Sequence, residues 1–144
     1  MTRNILAQWA LLQRKLTNVS EHLLEPHGAG GAWAPNTDVY ESADDVVVKL
    51  ELAGVSKESI RIHLEAQAII VEGMRRDPYG GESTAGYRFR QMEIEYGPFH
   101  RVVPIPYPVD GVNARAHLTN GILKIRLPRA QAPVQTRITV VMES

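Results

Sequence analysis

Apolar side chains near the start of the sequence recur at alternating spacings of four and three residues. These positions are Ile5, Trp9, Leu12, Leu16, Val19 and Leu23. Because such spacings place side chains on one face of a helix, the pattern predicts an amphipathic helix with a single apolar stripe. Pro26 and the glycine-rich residues 28–31 would end this helix, and Pro35 follows them, so we expect a domain boundary near residue 35.

Beyond residue 36 the pattern changes, and apolar residues alternate with polar ones over three successive runs. A period of two places every second side chain on the buried face of a β-strand. The predicted inward-facing residues are Val46, Val48, Leu50 and Leu52 in the first run, Ile60, Ile62 and Leu64 in the second, and Ile69 and Val71 in the third. Good helix formers at residues 65–68 also allow a helix over residues 60–70 on propensity alone, but the alternation favours two strands joined by a turn.

A charged, glycine-rich stretch between Met74 and Ala85 interrupts the strand pattern and predicts a long loop. After it, Tyr87, Phe89 and Gln91 would share one face of a strand, so another strand is expected in or after the loop. Long loops are uncommon in compact domains unless they have a function. We therefore expect this stretch to have a role of its own.

The clearest local signal is Asn120-Gly121, two residues that readily adopt the positive φ angles of a type I′ hairpin turn. With this turn, the paired residues would be Thr119 with Ile122, Leu118 with Leu123, His117 with Lys124, Ala116 with Ile125, Arg115 with Arg126 and Ala114 with Leu127. This register separates apolar from basic residues better than any adjacent register. Pro128 would end the second strand, because proline lacks a ladder donor. Short strands with turns between them indicate an all-β sandwich.

Composition and charge narrow the classes of function. The 144 residues suffice for one domain with extensions. Because 16 basic and 16 acidic residues give a net charge of zero, neither nucleic acid nor an anionic membrane is expected as a partner. The absence of cysteine excludes disulfides and zinc-thiolate sites and is compatible with the cytoplasm, the location that we expect. Gln8, Gln13 and Arg14 interrupt the first apolar residues, which argues against a signal peptide or a membrane span.

The sequence contains none of the common catalytic motifs. The glycine-rich residues 80–86 lack the Gly-Lys-Ser/Thr ending of a phosphate-binding loop, and the sequence contains no Gly-x-Ser-x-Gly motif. The histidines are His22, His27, His63, His100 and His117, and they show no metal-ligand spacing on one element. His63 and His117 would face outward, and we interpret them as surface histidines. We therefore expect no enzyme activity, cofactor, metal or small-molecule substrate.

Three stretches of the sequence occur in the order and spacing of a known protein family. They are ELAGV at residues 51–55, EIEYGPFHRVVPIP at residues 93–106 and AHLTNGILKIRLP at residues 116–128. Through them the chain resembles the small heat shock proteins of prokaryotic type, whose shared part is the α-crystallin domain. The resemblance implies an immunoglobulin-like β-sandwich with a signature hairpin, whose residues are Ala116, Leu118, Asn120, Gly121 and Leu123. Ala53, Met74 and Ile94 depart from the proline, glutamate and arginine usual in the family.

The resemblance also implies an organisation into three regions. They are a partly helical N-terminal arm at residues 1–35, the α-crystallin domain at residues 36–128, and a C-terminal linker and tail at residues 129–144. In the tail, Ile138 and Val140 match the family's Ile-x-Ile/Val motif and would bind the edge groove of a neighbouring subunit. Thr139 would face outward, and Val141, on the same side as Thr139, has no role in the motif.

A dimer contact is implied as well. The strand around Tyr87 to Gln91 would be donated to a neighbouring subunit's sandwich. The expected contact residues are Tyr87, Phe89, Gln91, Glu93 and Arg101. Arg101 would pair there with an acidic group, and Glu93 of the partner subunit is the candidate; the alternative is a solvated arginine on a strand.

These features predict an ATP-independent chaperone, a holdase that binds unfolding client proteins, prevents their aggregation and assembles from homodimers into larger homo-oligomers. The stripe from Ile5 to Leu23 either packs on the protein's own core or contacts partners, and the resemblance favours contact with clients or other subunits. Two other classes stay open. One is a p23-like co-chaperone or adaptor that docks on one dedicated partner, and the other is an enzyme on a β-sandwich, for which the sequence offers no convergent polar groups.

Overall fold

The computed structural model describes residues 33–65, 67–131 and 137–144. In these residues the chain forms nine strands and one turn of 3₁₀ helix. In chain order they are β1 (Thr37–Glu41), β2 (Asp45–Glu51), the 3₁₀ helix (Lys57–Ser59), β3 (Arg61–Glu65), β4 (Ala68–Arg75), β5 (Gly97–Pro104), β6 (Arg115–Thr119), β7 (Ile122–Pro128), β8 (Ile138–Thr139) and β9 (Val141–Met142). The predicted helix at residues 5–23, with its apolar stripe, lies outside the described residues.

The strands pack as two sheets. One has the strand order β1-β2-β7-β6-β9 and the other the order β5-β4-β3-β8. Neighbouring strands are antiparallel apart from β6 and β9, which run parallel. The all-β sandwich predicted from the sequence is therefore confirmed. Because β8 and β9 belong to different sheets, the C-terminal tail crosses from one sheet to the other.

The core lies between the sheets and consists of the inward-facing residues of the alternating runs. The fully or nearly fully buried members include Val46, Val48, Leu50, Leu52, Ile62, Leu64, Ile69, Val71, Leu123, Ile125 and Leu127, and Ile60 packs against them partly buried. Residues 61–65 and 68–75 form β3 and β4 and not a helix. Burial of alternate side chains against the facing sheet outweighs the helix propensity of residues 65–68.

The hairpin of β6 and β7 has the predicted turn and register. Asn120 and Gly121 have φ angles of 49° and 78°, and the ladder pairs run from Thr119 with Ile122 to Arg115 with Arg126. The last predicted pair is not part of the ladder, because β6 begins one residue after Ala114. The tip of the hairpin packs on the turn that follows β2. A Cβ atom on Gly121 would lie 2.8 Å from the Cα of Ala53, so the hairpin needs glycine for space as well as for its φ angle.

Two regions differ from the pattern-based expectation. Strand β1 was not predicted, because four of its five residues are exposed and leave no alternation to detect. Residues 76–96 form a long loop, as expected, but Tyr87–Gln91 are not in a strand; the strand that follows the loop is β5. A strand needs an edge to bond, and among the described residues this segment pairs with none.

Candidate assembly groove and dimer edge

A groove runs between β3 and β6, the two strands that border the gap between the sheets, and the tail of the same chain fills it. Ile138 pairs with Leu64 on β3, and the amide of Val140 donates to the carbonyl of Ile62 at 3.0 Å. Val140 is 4% exposed, whereas Thr139 faces solvent. The tail therefore extends β3 by backbone hydrogen bonds while alternate side chains enter the core.

Gly111 makes room for the first anchor of the tail. A Cβ atom on Gly111 would lie 2.8 Å from Cδ2 of Leu64 and 3.0 Å from Cδ1 of Ile138. Both distances are shorter than ordinary van der Waals contact, so a larger residue would displace the isoleucine side chain. The absence of a side chain at Gly111 thus forms part of the pocket for Ile138.

After Val140 the tail reaches the other sheet. Val141 and Met142 pair in parallel with Arg115 and Ala116 on β6. Met142 packs partly buried against the core, and Val141 is 53% exposed, on the same side as Thr139. Met142 was not predicted as a contact, although the alternation of Ile138, Val140 and Met142 is visible in the sequence.

The groove has a polar end at Glu143, a residue that was not predicted from the sequence pattern. The Glu143 amide donates to the carbonyl of Ala116 at 2.8 Å, and Nζ of Lys57 donates to the Glu143 carbonyl at 2.7 Å. The Glu143 carboxylate pairs with Nε of Arg115 at 3.7 Å and with Nε2 of His117. Every polar group of Glu143 therefore has a partner on the sandwich. No signal in the sequence identifies such a contact, because its members lie far apart along the chain.

The predicted anchors Ile138 and Val140 are thus both in a groove between the sheets. In the single chain this groove belongs to the same subunit. Docking on a neighbouring subunit stays a prediction.

The predicted dimer segment presents apolar side chains to solvent. Tyr87 is 81% exposed, Phe89 64% and Ile94 70%, and Gln91 and Glu93 are exposed as well. The side-chain amide of Gln91 donates to the carboxylate of Glu93. Large apolar side chains grouped on one exposed segment are typical of a binding surface.

Arg101 lies on the core-facing side of β5. It pairs across the ladder with Val71, between Phe99 and Val103, and is half-buried. The alternative of a solvated strand arginine stays a prediction. Its predicted pairing with Glu93 of the partner subunit stays a prediction.

The sheet edges of the sandwich differ in how they are covered. The tail covers the edges of β3 and β6. Trp33 covers part of the β5 edge, because its amide donates to Pro98, its carbonyl accepts from His100, and its ring lies 4.2 Å beneath the Arg75 guanidinium. Strand β1 ends its sheet, and within residues 33–65, 67–131 and 137–144 no strand pairs with its outer side. Strand β1 is thus an open edge that can accept another strand.

The described residues contain no group of three or more histidine, aspartate or glutamate side chains that could hold a metal ion. None of their polar residues is buried. His63 and His117 lie on β3 and β6, on either side of the tail. Across the same residues, no helix is long and apolar enough to span a membrane.

Two aspartates located in or beside turns, Asp45 and Asp110, have carboxyl pKa values below the ordinary value. A hydrogen bond from Ser42, with a further one from Arg126, lowers the pKa of Asp45 below its ordinary value of 3.8. The side-chain amide of Asn113 likewise lowers the pKa of Asp110. Both shifts arise from hydrogen bonds that stabilise the ionised carboxylate where the chain reverses.

Solved structures with the same architecture define the class. Heat shock protein 16.0 from Schizosaccharomyces pombe superimposes with a TM-score of 0.63 and 32% identity, covering 74% of this chain and 81% of that one. The hspA protein from Xanthomonas axonopodis gives a TM-score of 0.61 and 28% identity, covering 71% and 99%. The fold is thus the α-crystallin sandwich of small heat shock proteins.

The sequence agrees with the fold. The profile of the Hsp20/alpha crystallin family matches residues 38–142. The chain is 34% identical over 101 residues to heat shock protein 16 of Schizosaccharomyces pombe, with 70% of each chain covered. It is also 34% identical to spore protein SP21 of Stigmatella aurantiaca, over 76% of this chain and 63% of that protein. The chain belongs to the Hsp20/alpha crystallin family, whose members are chaperones of the stress response.

Proposed function

We propose that this protein is an ATP-independent holdase that binds unfolding client proteins and keeps them from aggregating. The observation that carries the proposal is family membership across residues 38–142, nearly the whole sandwich and its tail. Exposed apolar side chains on the loop support it. A protein that binds the unfolded state captures it by mass action, and the hydrophobic driving force needs no nucleotide.

In this proposal the N-terminal arm contacts clients and takes part in assembly. Its contact residues are Ile5, Trp9, Leu12, Leu16, Val19 and Leu23. The support is their helical spacing in the sequence, which gives a stripe wide enough to cover apolar segments of a client. Residues 1–35 act as the arm, 36–128 as the domain and 129–144 as the linker and tail. The cytoplasmic location stays a prediction.

The proposed dimer forms by exchange of the loop at residues 76–96. Tyr87 and Phe89 are highly exposed in the single chain, and β1 is an open edge. Addition of Tyr87–Gln91 of one subunit to β1 of the other would satisfy the backbone groups of both and bury the two aromatic rings. Because the exchange is reciprocal, each dimer contains this contact twice.

The proposed larger assembly uses the tail. Ile138 and Val140 fit a groove that every subunit carries, so the same contacts can form within a chain or between chains. Burial of an isoleucine and a valine contributes about 3–6 kcal/mol before the ordering of the linker is subtracted. A single tail contact would therefore be weak, and two tails per dimer would act together through the linker to hold dimers in larger particles.

Light scattering of a heated client tests the chaperone proposal. We expect suppression of aggregation near equimolar subunit ratios, without nucleotide, for several unrelated clients. Deletion of residues 1–34 should reduce this suppression while leaving the sandwich folded by circular dichroism. Protection of one partner alone would instead identify the p23-like adaptor, and no protection of any client would refute the holdase.

Particle mass tests the role of the tail. The double variant Ile138→Ala with Val140→Ala should leave folded dimers and disperse larger particles. The matched control is Thr139→Ala with Val141→Ala, which changes the two outward-facing neighbours and should keep the mass. Unchanged mass in the first variant would refute assembly through the tail.

A further inference from the structure

We propose that Lys57, Arg115 and His117 form a notch that binds Glu143. By binding Glu143, the notch selects the register and direction of the tail in the groove. In the assembly, the tail that occupies the groove is that of a second copy of this chain. This inference rests on the proposed docking of the tail between subunits. It adds a polar determinant to the two apolar anchors, Ile138 and Val140.

The contacts of Glu143 come from two separate elements of the sandwich. Lys57, on the 3₁₀ helix, binds the Glu143 backbone carbonyl at 2.7 Å. Arg115 and His117, on β6, bind its carboxylate, and the backbone of Ala116 between them accepts from its amide at 2.8 Å. A residue held at its amide, carbonyl and side chain occupies one defined place in the groove.

The notch lies at the end of a basic face on the hairpin. Arg115 and His117 face outward from β6, and Lys124 and Arg126 lie opposite them on β7. Asp45 pairs with Arg126. The Glu143 carboxylate pairs with both Arg115 and His117, and the Asp110 carboxylate also interacts with Arg115. An acidic side chain at this place therefore complements the positive potential of the hairpin, whereas a lysine would be repelled.

The apolar anchors alone do not set the register firmly. A shift by one residue would turn Thr139 inward, but a shift by two residues would keep the apolar alternation, with Val140 and Met142 in the places of Ile138 and Val140. Such a shift would carry Glu143 away from Arg115 and His117. The notch therefore favours the register in which Ile138 faces Leu64, and it favours the direction that is antiparallel to β3 and parallel to β6.

The expected effect is modest, because the groups are partly solvated. Side-chain exposure is 40% for both Arg115 and Glu143 and 53% for His117. Exposed ion pairs of this kind change an equilibrium by about 1.7- to threefold each, so removal of both should change tail docking by about three- to tenfold. The apolar anchors should have a larger effect than the notch.

Hydrogen exchange of the full-length protein, followed by mass spectrometry over residues 137–144, provides the test. Glu143→Gln keeps the size and backbone contacts of the residue and removes its charge. We expect exchange of the tail amides to rise about three- to tenfold, and subunit exchange between labelled particles to accelerate by a similar factor. In the unchanged protein, added salt should raise tail exchange, and in Glu143→Gln it should have little effect.

The matched control is Glu82→Gln, which removes the same charge from an exposed residue of the loop at residues 76–96. This variant should change tail exchange less than twofold. Reversal of the two charges provides a further test. Arg115→Glu should increase hydrogen exchange of the tail, and its combination with Glu143→Arg should restore the protection of the tail amides.

The outcomes separate the notch from the proposed assembly. If Ile138→Ala with Val140→Ala exposes the tail but Glu143→Gln does not, the notch is refuted and assembly through the tail stands. If Glu143→Gln raises tail exchange without altering subunit exchange, the notch acts on the chain's own tail and the second-copy occupant is refuted. If the anchor variant leaves particle mass unchanged, assembly through the tail fails by itself.

Discussion

The loop at residues 76–96 and the tail at residues 137–144 are two extensions of one sandwich. Within the single chain, the loop exposes apolar side chains and the tail buries one. The apolar residues of the loop, Tyr87 and Phe89, are 81% and 64% exposed. The tail residue Val140 is 4% exposed and its amide is bonded to β3. Both segments alternate apolar with other residues, so the sequence pattern does not explain the difference.

The difference arises from where a complementary edge lies. The tail is joined by a short linker to the end of β7, close enough to reach the groove of its own sandwich. The loop begins at the end of β4 and returns to β5 in the same sheet, while the open edge of β1 lies in the other sheet. The tail docks on an edge of its own sandwich, whereas the described residues of the loop pair with no strand.

The loop contact should show the largest effect. Tyr87→Ala with Phe89→Ala removes two large side chains from each of two exchanged segments, about 6 kcal/mol or more in total, or on the order of 10⁴-fold in the dimer dissociation constant. The variant should be monomeric at micromolar concentration by analytical ultracentrifugation.

Tyr79→Ala is the control for the loop, because Tyr79 is 70% exposed but lies outside the predicted contact. It should stay dimeric. Persistence of the dimer in the double variant would mean that the exposed aromatic residues do not form the dimer contact, and the contrast between loop and tail would lose its functional meaning.

Gly111→Ala should have an intermediate effect, confined to the tail. Its added Cβ would approach Leu64 and Ile138 to within 3.0 Å, and overpacking of this kind costs about 1–3 kcal/mol. We expect tail docking to weaken by about tenfold or more in hydrogen exchange, with the loop dimer unchanged.

Gly81→Ala provides the matched control within the loop, because a Cβ atom there meets nothing within 4 Å. It should change neither tail exchange nor dimer mass. Equal effects of the two substitutions would show that the pocket at Gly111 does not position the tail.

Asp45→Asn should have the smallest effect, and it tests the support of the β1 edge. Asp45 begins β2, and Ser42 and Arg126 bind its carboxylate. Its folded-state pKa lies below 3.8, so its stabilising contribution is present above that pH and is lost as the pH falls through the folded-state value. The thermal midpoint of the unchanged protein should therefore fall more steeply below about pH 4 than that of the variant.

Asp38→Asn on β1 is the control, because it makes the same chemical change on the neighbouring strand. It should keep the acid dependence of the unchanged protein. If Asp45→Asn also keeps that dependence in full, the Ser42–Asp45–Arg126 hydrogen bonds do not stabilise the turn between β1 and β2.

Much of the sandwich could be predicted from the sequence because its signals are local. Val46, Val48, Leu50 and Leu52 alternate strictly, and their burial follows from that period alone. The register of the β6–β7 hairpin follows from Asn120-Gly121, since a two-residue turn leaves one pairing for the flanking strands. Strand β1 was missed because its side chains are mostly exposed and the strand exists by pairing with β2.

The sequence by itself determined the strands of the core, the hairpin register, the family and the two apolar anchors of the tail. Tertiary structure decided which edges are covered, that Gly111 leaves space for Ile138, and that Glu143 meets Lys57, Arg115 and His117. The physical reason is the range of the interactions. Alternation and turn chemistry act between neighbours in the chain, whereas a groove and a charged notch arise only when residues dozens of positions apart are brought together by the packing of two sheets.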